Sequence, residues 1–110
     1  MGTLPLEISP AEVKALREAG EPVRLIDVRE PEEFALCHIE GASLLPMRSI
    51  PQHLQDLDSA PERLIVFCHH GVRSLSVVDW LRRQDVTNCQ SMSGGIDLWS
   101  RQIDPTVPRY

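Results

Sequence analysis

Cys68 closes the most strand-like run in the chain, RLIVFC from Arg63 to Cys68, and His69-His70-Gly71-Val72-Arg73-Ser74 follows it into a helical pattern. In open α/β sheets, ligands bind beyond the carboxyl ends of the strands. The first turn of a helix leaves four N–H groups without intrahelical partners, so a loop curling into a helix start can aim its amides at an anion. A free cysteine of pKa ~8.5 is only about 3% thiolate at neutral pH, and helix N-termini lower that pKa far enough to make the thiolate dominant. A lowering of two units corresponds to roughly 2.7 kcal/mol, within reach of a helix dipole, several amide hydrogen bonds and a guanidinium such as that of Arg73. The same cradle would hold a persulfide, which is also an anion. Gly71 supplies the backbone freedom of a tight loop, and Ser74 offers its hydroxyl to the sulfur or to the helix end. A cysteine ending a buried strand is otherwise a small apolar filler. The Gly-Val-Arg-Ser loop and the helix start favour a reactive thiol.

Such a loop needs a sheet to carry it, and strands alternating with short helices supply one, with no repeat, low-complexity tract or linker. Ser9 reads as an N-cap, Pro10 as the first helical residue and Glu12 as the far half of a capping box; Val13 and Leu16 give an apolar stripe, and Gly20 ends the helix. Pro22 to Val28 (PVRLIDV) is a short apolar run suited to a buried strand, and PEEFAL from Pro31 opens with proline and two acids, as a brief helix should. ASLLPM after Gly41 reads as a strand, Ile50 to Leu57 as a weak helix, SLSVVDWLRRQ as a helix burying Val77, Val78 and Leu81, NCQSM as the last strand and GGIDLWSRQ as the last helix. The expected fold is α/β in three layers: a mostly parallel central sheet of about five strands with helices on both faces. One domain is expected over residues 1–110, with 1–5 and 104–110 irregular.

The 110 residues leave room for one core. An apolar content of 42% with 25% charged residues is that of a globular domain. The net charge of −5, scattered arginines and a single lysine, Lys14, form no basic stripe, which argues against nucleic acid as a partner. No run approaches the ~18 apolar residues of a membrane span, and MGTLPLEIS lacks the basic and apolar regions of a signal peptide. Gly2 is followed by Leu6 where a myristoylation motif wants Ser or Thr. The expected compartment is the cytoplasm, with small molecules or proteins as partners and no membrane contact.

Three cysteines, Cys37, Cys68 and Cys89, are too few for a disulfide framework. Cys37-His38 and Cys68-His69-His70 lack a C-x-x-C pair, and strand neighbours point to opposite faces, so no metal is expected. Asp27 and Arg29 flank the end of the first long strand, on the edge that carries Cys68. Asp27 could bond the loop and Arg29 could add positive potential; the plainer reading is an ion pair of Arg29 with Glu32 or Glu33. His38 reads as structural. One of His69 and His70 should face the site, and alternation does not say which. Gly94 and Gly95 follow a strand and suit a close backbone approach, while Trp80 and Trp99 read as packing residues.

Taken together, LIDVREPEEFALCHIEGASLLP resembles the first signature of the rhodanese-homology domain (D-V-R, E-F, G-H-I, G-A, P), FCHHGVRS its active-site loop and SGGIDLW its C-terminal signature. The resemblance spans nearly the whole chain. It implies that Cys68 is the persulfide-forming nucleophile, that His69, His70, Gly71, Val72 and Arg73 line the substrate loop, and that Ser74 opens the helix. The implied activity is transfer of sulfane sulfur from a small anion such as thiosulfate to cyanide or a thiol, without a cofactor. The alternatives are a protein-to-protein sulfur relay or binding module with little thiosulfate activity, and a phosphatase or arsenate reductase. Phosphatases of this fold need Cys-x5-Arg, whereas Arg73 makes the spacing here Cys-x4-Arg, a loop with too few donors for three phosphate oxygens. Cys37 stands where the family has glycine. The topology predicts Cys37 and Cys89 near the opposite edge of the sheet, neither with its Cα within ~7 Å of Cys68, the limit for an unstrained bridge.

Overall fold

The computed structural model describes residues 4–110; Gly2 and the start of the irregular 1–5 segment lie outside the described residues. Strand β1 (Glu7–Ile8) leads into α1 (Pro10–Glu18), then β2 (Val23–Asp27), α2 (Pro31–Leu36) and β3 (Ser43–Leu44). A 3-10 helix (Met47–His53) and α3 (Leu54–Asp58) cross to β4 (Arg63–Phe67), which is followed by α4 (Val72–Arg83), β5 (Cys89–Met92) and α5 (Gly95–Gln102). The five strands lie in the order β1-β5-β4-β2-β3, and every pairing is parallel. β4 is central, and Leu64 to Phe67 are all fully buried, as a parallel strand covered on both faces requires.

Alternation along β4 divides the core. Leu64, Val66 and Cys68 meet Ile50, Leu57, Val77, Val78 and Leu81, the side of α3 and α4. Ile65 and Phe67 meet Val13, Ile96, Trp99 and Val107, the side of α1, α5 and the tail. α1 begins as its sequence dictates: Ser9 Oγ accepts from the Glu12 amide at 3.1 Å, and Glu12 closes the capping box. The one strand without a legible pattern is β1, two residues that pair with Ser91 and Met92.

Candidate active site

Strand register delivers Cys68 to the carboxyl edge of the sheet, one residue past β4, where it is 1% exposed. Its Sγ accepts from the backbone amide of Gly71 at 3.1 Å and of Ser74 at 3.4 Å, and lies 3.5 Å from Ser74 Oγ. Gly71 makes this possible: its φ of +105° is a conformation glycine adopts freely, and it forms the N-cap of α4. The sulfur therefore sits at the positive end of a twelve-residue helix. Ser74 is fully buried, shares a 2.7 Å hydrogen bond with Ser91 Oγ of β5 and donates to Gly71 O at 3.2 Å. The cup rests on two amides and one hydroxyl.

Gly94 and Gly95 clamp the loop from the side of α5, both with positive φ. The Ile96 amide donates to Cys68 O at 2.9 Å and the Asp97 amide to His69 O at 3.1 Å. A Cβ on Gly95 would overlap the Cys68 carbonyl oxygen and come within 2.5 Å of that of His69. The close approach expected of this glycine pair is thus an approach to the reactive loop itself.

Asp27 and Arg29 behave differently from either reading of them. Both are fully buried, and Arg29 Nη2 meets Asp27 Oδ2 at 2.7 Å, with Nε adding bonds to both carboxylate oxygens. The ion pair expected with Glu32 or Glu33 is replaced by this one, because Arg29 folds back along the end of its own strand; Glu33 contributes only its main-chain carbonyl, at 3.3 Å. Asp27 is engaged within the pair rather than with the loop; its oxygens accept from the Arg29 side chain and amide. Burial works against the Arg29 charge, but hydrogen bonds to Asp27 and Tyr110 outweigh it and raise the pKa above the ordinary arginine value. Arg29 also donates to Cys37 O at 2.7 Å and to Tyr110 Oη at 2.8 Å, so it ties strand, helix end and tail together.

Cys37 accordingly is not at the opposite edge. α2 has six residues, a rise of about 9 Å, against about 16 Å for a five-residue strand, so the chain is carried only part of the way back. Cys37 is buried on the Phe67 face, whereas Cys68 is on the Val66 face. Its φ of −167° is extended backbone, so the absent glycine is not missed at this position. Cys89 pairs with Leu64, four residues and about 13 Å before Cys68 along β4, at the far edge as expected.

Arg73 is not a free cation in the loop. Its Nη1 and Nη2 donate to Glu33 Oε1 and Oε2 at 2.7 and 3.0 Å. Glu33 also accepts from the Glu30 amide at 3.0 Å and from the Tyr110 hydroxyl at 2.7 Å. The Arg73 fork holds the Glu33 carboxyl at a pKa of about 2, and Glu33 in turn raises that of Arg73. His69 is half-buried, its ring stacked between His70 and Tyr110 at 3.9 Å from each; burial, then the neighbouring His70, pushes its pKa down. His70 is exposed and Val72 is 78% exposed at the mouth of the loop. His38 is exposed, stacked on Phe34 at 4.4 Å.

His69, His70 and Asp97 bring potential ligand atoms within 4.8 Å of one another. A tetrahedral ion with bonds of about 2.1 Å holds its donors about 3.4 Å apart, whereas His70 Nε2 and Asp97 Oδ2 stand 3.8 Å apart and the His69 and His70 rings are stacked. Asp97 is moreover engaged by Arg101 at 2.9 Å and Arg109 at 3.4 Å. Sequence reasoning missed Glu33 as the partner of Arg73, Ser91 behind Ser74, and Tyr110; nothing in the residues around Arg73 or His69 signals partners 40 or more positions away.

The model of the rhodanese-like domain family matches residues 9–102. A thiosulfate sulfurtransferase GlpE of Pseudomonas fluorescens is 40% identical over 94 residues, 84% of this chain and 82% of that protein. The chloroplastic rhodanese-like/PpiC domain-containing protein 12 of Arabidopsis thaliana is 34% identical over 82% of this chain, which spans only 31% of that longer protein. The crystal structure of a rhodanese-like domain protein from Staphylococcus aureus superposes with a TM-score of 0.79 at 30% identity, covering 96% of this chain and 99% of that one. With the family model matched over residues 9–102 and a relative 40% identical over most of both chains, the chain belongs to the rhodanese-like domain family.

Proposed function

We propose that the protein is a sulfurtransferase that carries sulfane sulfur as a persulfide on Cys68. The observation that carries this reading is the convergence of the Gly71 and Ser74 amides on Cys68 Sγ at a helix N-terminus. The Cys68 thiolate attacks the outer sulfur of thiosulfate; the new Sγ–S bond forms, the sulfur–sulfur bond of the donor breaks, and its electron pair leaves with sulfite. The loop amides then hold the terminal sulfur of Cys68-S-S⁻ as they held the thiolate. Cyanide or a thiolate attacks that outer sulfur, takes it away as thiocyanate or a persulfide, and regenerates the Cys68 thiolate. A protein thiol can take the sulfur by the same attack, and an open cleft lined by Leu6, His70, Gly71, Val72 and Leu75 borders the loop. A reducing cytoplasm suits a chain whose three cysteines are all free thiols.

His69 to Ser74 have unequal parts in this mechanism. Gly71 and Ser74 bind the sulfur, His69 stiffens the loop by stacking, and His70 and Val72 form the outer rim. Asp27 and Arg29 support the sheet edge on which the loop stands. Intact-mass spectrometry after incubation with thiosulfate tests the reading: one sulfur atom is gained by the wild type and none by Cys68→Ala. Steady-state kinetics should be ping-pong. A Cys68→Ala protein that retained transfer would end the proposal.

A further inference from the structure

Thiosulfate carries two negative charges, and a guanidinium fork is the side chain best matched to sulfonate-like oxygens. Arg73, five residues past Cys68, is placed to supply one, yet its Nη1 and Nη2 edge is already filled by the two oxygens of Glu33. Glu33 is itself held by four donors: two from Arg73, the Glu30 amide and the Tyr110 hydroxyl. A carboxylate so fully matched does not release its partner to an incoming anion. Of the other charges near the loop, Arg29 is paired with Asp27, while Arg101 and Arg109 share the Asp97 carboxylate, behind the loop on α5 and the tail. At the sulfur itself a donor meets the two amides, the Ser74 hydroxyl and the helix dipole, a set sized for one negative charge on sulfur.

We propose that Glu33 is a specificity-determining residue that cancels the charge of Arg73, weakens thiosulfate as a donor, and turns the site towards alkyl persulfides and thiols. This rests on the persulfide reading of Cys68 given above. For such a donor the Cys68 thiolate attacks the outer sulfur of R-S-SH, the Sγ–S bond forms, and the electron pair of the broken bond leaves as RS⁻ while the proton stays on the transferred sulfur. Cyanide then removes that sulfur as thiocyanate.

The test compares kcat/KM for thiosulfate with that for 2-hydroxyethyl persulfide, an alkyl donor with at most one negative charge against the two of thiosulfate, with cyanide as the common acceptor. In Glu33→Gln the ratio of thiosulfate to persulfide should rise roughly five- to tenfold at low ionic strength, chiefly through the thiosulfate KM, and fall back as salt screens the freed arginine. In an Arg73→Gln background the same substitution should leave the ratio unmoved. Should Glu33→Gln fail to fold, Glu33→Ala, also neutral, is expected to shift the ratio in the same direction. An unmoved ratio, or an equal rise in the Arg73→Gln background, overturns the role of Glu33. Intact mass read on the wild type separates the two failures: no sulfur gained on Cys68 defeats the transfer reading itself, whereas a gain with an unmoved ratio defeats only the assignment to Glu33.

Discussion

At the scale of single residues, the site depends on positions where a side chain is missing as much as on those where one acts. Gly95 brings α5 against the carbonyls of Cys68 and His69, at a φ of +59° that L-residues adopt at a cost of roughly 1–2 kcal/mol. Gly95→Ala adds steric overlap to that strain, so a total loss of about 2–4 kcal/mol is expected. Denaturant titration measures it, and the rate of sulfur loading on Cys68 should fall in the same protein because the loop is displaced. The glycine that the family pattern places before His-Ile makes the opposite point by its absence: Cys37 stands there at φ −167°, where no glycine is needed.

Among elements, α2 and α4 are joined by Glu33 and Arg73 rather than by apolar contact, since α2 buries no residue. The Glu33 carboxyl is held near pKa 2 against an ordinary value of 4.5, chiefly by Arg73. A depressed carboxyl pKa means that the folded state binds its proton less readily than the unfolded chain does. The pair therefore contributes fully above about pH 4.5 and its contribution is lost as pH falls towards 2. Urea unfolding should show Glu33→Gln less stable than the wild type at pH 7, with the gap closing between pH 4.5 and 2. The elements themselves were readable because each obeys a local rule: the Ser9–Glu12 capping box, the proline and acids opening α2, the apolar run of β4. The helix that ends at Arg83 buries Val77, Val78 and Leu81 as its spacing requires. β1 escaped because two residues carry no period, and the Arg73–Glu33 bond escaped because its partners, 40 positions apart, meet only once the sheet order is set. The loop chemistry around Cys68 was legible, but the count of amides and the masking of Arg73 were matters of tertiary geometry.

For the molecule as a whole, the irregular tail is structural. Val107 is 7% exposed in the core on the α1 and α5 side, its carbonyl accepts from Ser100 Oγ, and Tyr110 lies on His69. Val107→Ala removes two buried carbons, and a loss of about 1–2 kcal/mol is expected from thermal or urea unfolding. A tail that merely rested on the surface would give no measurable change.

The division of the core by the sheet has a consequence for oxidative damage. With Cys37 on the other side of β4 and Cys89 some four residues back along it, neither of the chain's other thiols shares the face and edge at which a sulfenic acid would form on Cys68. Rescue from peroxide must come from outside, through a low-molecular-weight thiol or a reductase admitted at the loop mouth, and a loaded sulfur atom shields the nucleophile until one arrives.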